Sequence, residues 1–446
     1  MKIQIPRDAN YILEKLSLAG YEAYVVGGCV RDSLLGDSPH DWDITTNALP
    51  LQVKEIFGRT VDTGLKHGTV TVMRGNTGYE VTTYRTDGDY SDGRHPDNVT
   101  FVMNLEEDLK RRDFTINAMA YNETRGLVDL FGGCDDLKNG IIRCVGSAEE
   151  RFSEDALRML RAVRFAARFG YTLDPEVVEA IKKLAPTLSK VSAERITSEF
   201  VKLLTSDHPE MVRILYETGL TKVFFPEFDE AMNTPQNHPH HCYNVGEHLI
   251  ESLKASCNDP VVRLAMMLHD IGKPRTLKVD DKGITHFYGH PKVSADMAKE
   301  ILVRWKLDND TIRRVCRLVQ YHDYGIGRQV TESLIRKAMS IFEDDFELLL
   351  EVNRADILAQ SDFKKKEKLE ANKKYGEISR KILKENQCFR LKDLAVSGKD
   401  LMEAGAKPGP GMGDILKKLF DAVLEDPSLN DREVLLKMAE EMINNE

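Results

Sequence analysis

Asp41 and Asp43, one residue apart and just downstream of the glycine pair in YVVGGCVRDSLLGDSPHDWDITTN, are the side chains best suited to chemistry. Trp42 to Thr46 reads as a strand, and residues i and i+2 of a strand point to one face, so the two carboxylates converge. Like charges that close repel unless a cation joins them, and Mg²⁺ takes carboxylate oxygens together with substrate phosphates. Two ions so held would activate an attacking hydroxyl and stabilise a leaving pyrophosphate. Glu80, in the alternating strand YEVTTYR after the turn Gly75-Asn76-Thr77-Gly78, is either the third carboxylate of such a site or an ordinary exposed strand residue.

The segment around the glycines must position them. Tyr24 to Val26 is short, apolar and β-prone, Gly27-Gly28 interrupts it, and VRDSLL carries good helix formers, which predicts strand, glycine turn, helix. Side-chain-free residues at a helix start let phosphates reach N–H groups that have no intrahelical partner.

FSEDALRMLRAVRFAARFG reads as one helix with Arg158, Arg161, Arg164 and Arg168 in a stripe, and Leu157, Leu160, Val163 and Ala167 on an apolar side. Asp155, three residues before Arg158, forms either an intrahelical ion pair or a base reader. A carboxylate accepts from an exocyclic amino group while a guanidinium donates to the adjacent ring nitrogen. Cytosine and adenine offer both; uracil and guanine would leave the carboxylate unsatisfied at about 1–3 kcal/mol.

A second set of side chains lies in the middle of the chain. His248 follows HPHHCYNVGE, His269-Asp270 closes VVRLAMMLHDIGK, His290 lies in YGHPKVSADMA, and His322-Asp323 ends RRVCRLVQYHD. Imidazoles and carboxylates gathered from several helices suit a divalent transition metal.

At 446 residues the chain exceeds one ordinary core, and 41% hydrophobic with 30% charged residues is ordinary for a globular protein. No apolar run reaches membrane-spanning length and the N-terminus lacks a signal-peptide core, so a cytoplasmic protein without membrane contact is expected. Seven scattered cysteines without a C-x-x-C pair fit reduced thiols. The net charge of −10 argues against wholesale nucleic-acid binding, although Ser361–Lys392 carries eleven basic against five acidic residues.

In order along the chain, GGCVRD, DWD, RRDFTINAMAYN, EDALRMLRAVRFAARFG and ERITSEFVKLL resemble the bacterial-type (class II) tRNA nucleotidyltransferases, the CCA-adding enzymes and their poly(A) polymerase relatives, over nearly the whole length. The resemblance implies Asp41 and Asp43 as Mg²⁺ ligands, and Gly27, Gly28 and Arg31 as the triphosphate-side turn. Arg112, Asp113 and Asn117 would hold the nucleotide and favour ribose. Asp155 and Arg158 would serve as the protein template for CTP and ATP, supported by Glu154 and with Arg161 on the same helix. Arg85–Phe101 resembles the family's flexible loop, which accompanies A addition. The histidine set resembles the HD phosphohydrolase superfamily, with His248, His269, Asp270 and Asp323 as core ligands and His290 and His322 serving a second metal. Gly409 to Gly413 before DILKKLF resembles the segment that grips tRNA.

The expected fold class is α+β: a nucleotidyltransferase head with a mixed five-stranded sheet over residues 1–145, a helical neck over 146–225, an HD domain over 226–345 and a helical body and tail over 346–446. The expected activity is addition of C, C and A to the 3′ end of tRNA from CTP and ATP, without a nucleic-acid template and with release of pyrophosphate. The alternatives are an A-adding enzyme or poly(A) polymerase, an HD phosphohydrolase acting on RNA-end or nucleotide phosphates, or a non-catalytic RNA-binding protein.

Overall fold

The chain divides into two units, Met1–Pro226 and Glu227–Glu446. The structure is a computed structural model and describes residues 2–88, 99–325, 327 and 329–444.

In the first unit α1 (Arg7–Leu18) leads into β1 (Ala23–Val26), all of whose residues are buried, and Gly27 turns the chain into α2 (Gly28–Leu35). β2 (Ile44–Thr46) and α3 (Pro50–Ile56) follow, then β3 (Thr60–Gly64), β4 (Thr69–Arg74) and β5 (Thr77–Thr83). The β4–β5 turn is tighter than expected, because Arg74 pairs with Thr77 and only Gly75 and Asn76 lie between them. β6 (Arg85–Asp87) pairs antiparallel with β7 (Val99–Phe101); the remainder of the expected mobile loop lies outside the described residues, apart from Gly88. After α4 (Leu105–Lys110), β8 (Met119–Asn122) and β9 (Gly126–Asp129) complete the sheet.

The sheet has seven strands in the order β3-β4-β5-β2-β1-β8-β9, not five. β2 runs parallel to β5 and antiparallel to β1, so the sheet is mixed as expected. β3 is mostly exposed and β9 is half-buried throughout, so neither carries the alternation by which strands are read.

Helices α5 (Gly133–Asn139), α6 (Ala148–Glu154), α7 (Leu157–Phe169), α8 (Pro175–Leu184) and α9 (Ala193–Leu204) follow. The single arginine-bearing helix expected here is broken at Asp155, which is extended (φ −138°, ψ 104°). Its side chain accepts the Leu157 N–H at 3.0 Å, satisfying one of the orphan donors of the new helix. The buried side of α7, including Leu157, Leu160, Val163 and Ala167, packs inward as the spacing predicts.

The second unit is helical, and its helices Val245–Ala255, Pro260–Leu268, His290–Arg304, Asn309–Gln320 and Phe346–Ala359 bring the histidine set together. Gly409 precedes the helix Pro410–Glu425. No helix among the described residues is long and apolar enough to cross a membrane.

Candidate active site

Asp41 and Asp43 lie in the segment leading into β2 rather than within it, and the Asp43 carbonyl accepts the Val26 N–H at 3.0 Å, which ties that segment to β1. Ile44 pairs with Val81 in the parallel β2–β5 ladder, so Glu80 precedes the pair on β5 as Asp43 does before β2. All three carboxylates are exposed on their open side. Desolvation by the surrounding protein raises the Asp43 pKa, Arg112 opposes this, and Asp41 adds to it. Glu80 is raised by desolvation and then by Asp43 and Asp41. Three acidic groups in one field fit a divalent cation, although their oxygens do not form one of the tight ligand groups found elsewhere among the described residues.

Gly27 holds φ at +79°, and a Cβ there would stand 3.0 Å from Nη1 of Arg112, so the glycine permits both the turn and the arginine's approach. No side chain caps the start of α2 at Gly28. Arg31, by contrast, is buried beneath the turn. It donates to Asp32 at 2.8 Å and to Asn117 Oδ1, and its guanidinium lies near the Phe165 and Phe169 rings.

Asn117 donates to Asp113 at 3.1 Å. The Asp113 carboxylate also accepts the Phe114 N–H at 2.8 Å and Arg161 Nε and Nη2 at 2.9 and 2.6 Å. Burial alone would raise Asp113, but Arg161 and Asn117 bring it down to about 2. Asp113 and Arg161 thus join the head to α7. The rest of the stripe is likewise engaged by acids: Arg164 with Glu199 at 2.5 Å and Arg168 with Asp32 at 3.1 Å. Arg158 donates to Glu154 at 2.5 Å and to the Arg151 carbonyl at 3.1 Å. Asp155 is held by Arg195 of α9 at 2.7 Å. Each half of the expected template pair is therefore oriented by a neighbour.

In the second unit two ligand groups adjoin: His248, His269 and Asp356, and Asp270, His290 and His322. His248 Nε2 is 2.9 Å from Asp356 Oδ1 and 3.2 Å from His269 Nε2. Asp270 spans the groups, with Oδ2 3.4 Å from both His248 and His269 and Oδ1 3.1 Å from His290. The Nδ1 atoms of His269, His290 and His322 face the carbonyls of Met266, Phe287 and Val319, each at 2.8 Å. If each Nδ1 donates, each Nε2 lone pair is free for a metal. Burial would raise Asp270 and Asp356, yet Lys273 and His269 on the first, and His248 and His269 on the second, hold both well below the usual carboxylate range. Converging imidazole nitrogens and ionised carboxylates fit two divalent ions.

Asp323 is not part of either group. It is exposed on the turn after Asn309–Gln320, where it lines the neighbouring cavity, and the carboxylate grouped with His248 and His269 is the buried Asp356 of Phe346–Ala359.

The family model for the "Poly A polymerase head domain" matches residues 23–143, that for a "Probable RNA and SrmB- binding site of polymerase A" matches 170–232, and one for tRNA nucleotidyltransferase domain 2 matches 276–439. A CCA-adding enzyme of Leuconostoc mesenteroides is 36% identical over 100% of both chains, and one of Limosilactobacillus reuteri is 38% identical over 99% of both. The chain belongs to the CCA-adding enzyme family. A crystal structure of the Bacillus stearothermophilus CCA-adding enzyme in complex with CTP superposes with a TM-score of 0.73 at 31% identity, covering 99% of each chain.

The side chains that the sequence analysis does not single out are two supports of the template pair and the arginine stripe, Arg195 and Glu199, and one candidate metal ligand, Asp356. Arg195 and Glu199 lie within ERITSEFVKLL, a motif whose sequence alone assigns them no role. Asp356 carries no signal, because Phe346–Ala359 also contains Glu347 and Glu351 and nothing in its spacing sets Asp356 apart from them.

Proposed function

We infer that the chain adds C, C and A to the 3′ end of tRNA from CTP and ATP, with protein side chains selecting the base. The observation that carries this reading is the shared field of Asp41, Asp43 and Glu80 beside the uncapped start of α2, with Arg112 across the glycine turn. In each step the terminal tRNA hydroxyl loses its proton and attacks the nucleotide α-phosphorus, and the bond to pyrophosphate breaks. Magnesium ions on Asp41 and Asp43, with Glu80 as the third carboxylate, would supply activation of the hydroxyl and stabilisation of the leaving group. The start of α2 and Arg112 bind the triphosphate. Asp113 and Asn117 position the ribose side and hold α7 through Arg161. Asp155, steadied by Arg195, accepts the exocyclic amino group of cytosine or adenine, and Arg158, steadied by Glu154, donates to the ring nitrogen. Free cysteines throughout suit a reducing cytoplasm. Asp41→Ala tests the reading: CTP incorporation into tRNA lacking CCA should fall at least about 10³-fold with the fold intact, and unchanged incorporation would overturn it.

A second activity is favoured by the two adjoining ligand groups. With divalent transition metals on His248, His269, Asp356, Asp270, His290 and His322, the second unit would hydrolyse phosphate esters at RNA ends or on nucleotides. Metal content of the purified protein together with release of phosphate from such esters tests it, and a protein that binds no metal at these residues would refute it.

A further inference from the structure

The mouth of the cavity beside these ligands contains features that metal binding does not explain. The cavity measures about 560 Å³, and its lining includes Lys364, Lys368, His238 and His240. That volume exceeds what a lone phosphate fills and is within the range of nucleotide-sized pockets. Glu367 and Asp323 are the only acids of the lining outside the two ligand groups, so with metals in place the cavity attracts anions.

Aromatic rings cross this mouth in sequence. His238 and His240 stack at 5.2 Å and 18°, and Phe363 meets His240 edge-on at 4.8 Å. On the other side His286 lies 6.4 Å from His238, and Tyr288 stacks on His286 at 5.4 Å with the planes 4° apart. The outer rings are open to solvent: Tyr288 is 72% and Phe363 48% exposed. The track is nonetheless fixed in place. Asp280 holds His286 at 3.0 Å, Lys368 contacts His240 Nδ1 at 3.1 Å, and Ser361 donates to the carbonyls of Pro239 and His240 at 2.5 and 3.0 Å. Flat rings held at a cationic opening match the two components of a single-stranded nucleic acid, bases that stack and phosphates that carry charge.

We propose that this track binds the single-stranded end of an RNA, with bases on the exposed rings Tyr288 and Phe363 at its two ends and the terminal phosphate directed into the cavity toward Lys364 and Lys368. The direction of the strand rests on reading the ligand groups as a phosphohydrolase centre; the stacking itself does not. The ligand class is thereby an oligonucleotide end rather than a free mononucleotide, because a mononucleotide would use only the rings at the cavity rim.

The test uses the full chain and a short single-stranded RNA bearing a 3′-phosphate, labelled for fluorescence anisotropy and substituted with 4-thiouridine for photocrosslinking. Crosslinks should map to the peptides carrying Tyr288 and Phe363. Tyr288→Ala and Phe363→Ala should each weaken binding about tenfold, and Tyr288→Phe should restore it. Melting temperature and metal content report whether the variants remain folded. Binding unchanged in the double alanine variant, crosslinks confined to residues before Glu227, or equal binding of a duplex of the same sequence would overturn the proposal. Ring-dependent binding by a protein that takes up no metal would support the track and refute the phosphohydrolase centre. Metal uptake with ring-independent binding would do the reverse.

Discussion

Replacing Asp113 by Asn removes the charge that joins the head to α7 while keeping the shape of the side chain. The carboxylate accepts two bonds from Arg161 and one from Asn117, and these partners hold its pKa at about 2. An unfolded aspartate titrates near 3.9, so the group stabilises the fold above about pH 4 and the contribution is lost as pH falls toward 2. Nearly two pKa units correspond to about 2.5 kcal/mol at pH 7, falling to about half at pH 3. Arg161 keeps Glu199 at 4.0 Å and is one-third exposed, so its uncompensated charge adds little beyond this. For a unit of this size the loss corresponds to a melting temperature about 5–10 °C lower at pH 7. Trp42, buried in the first unit, reports its unfolding by urea once Trp305 of the second unit is replaced by Phe. A deficit equal at pH 7 and pH 3 would show that packing rather than charge is lost. No deficit at pH 7 would refute the pairing.

Asp43→Asn should abolish nucleotide incorporation yet raise the melting temperature of the metal-free protein by about 1–3 °C, since it relieves repulsion from Asp41 and Glu80; calorimetry with and without Mg²⁺ checks both signs. Gly27→Ala places a Cβ against Arg112 at φ +79° and ψ −127°, a sparsely populated region for a residue with a side chain, and should cost about 1–3 kcal/mol, with weaker CTP binding seen by titration calorimetry. Asp356→Asn should lower metal affinity in the second unit by at least about tenfold whereas Asp323→Asn leaves it unchanged, as read by metal content after dialysis.

The candidate carboxylates and the glycine turn are legible in the sequence because they depend on local spacing. Asp41, Asp43 and the glycine turn occupy one short stretch, and the strand–turn–helix around them follows from hydrophobicity and glycine placement alone. The break at Asp155 is hidden in the sequence because the helical periodicity continues on both sides of it, and it shows only in the extended Asp155 backbone and its cap on Leu157. The arginine stripe has the expected spacing, but the partners of Arg161, Arg164 and Arg168, which are Asp113, Glu199 and Asp32, come from distant parts of the chain, which spacing does not show. Asp356 was missed for a related reason. The adjacent His-Asp pattern holds at His269-Asp270 but at His322-Asp323 leaves the acid outside both groups, and Asp356 becomes a candidate ligand only when folding sets it 2.9 Å from His248.

The most direct test of the central claim is extension of a tRNA that ends before CCA, with the purified protein and Mg²⁺, resolved at single-nucleotide length. CTP alone should add two residues, ATP alone none, and both together three. A single A added only to tRNA already ending in CC, a long A tract, or no extension at all would contradict the account.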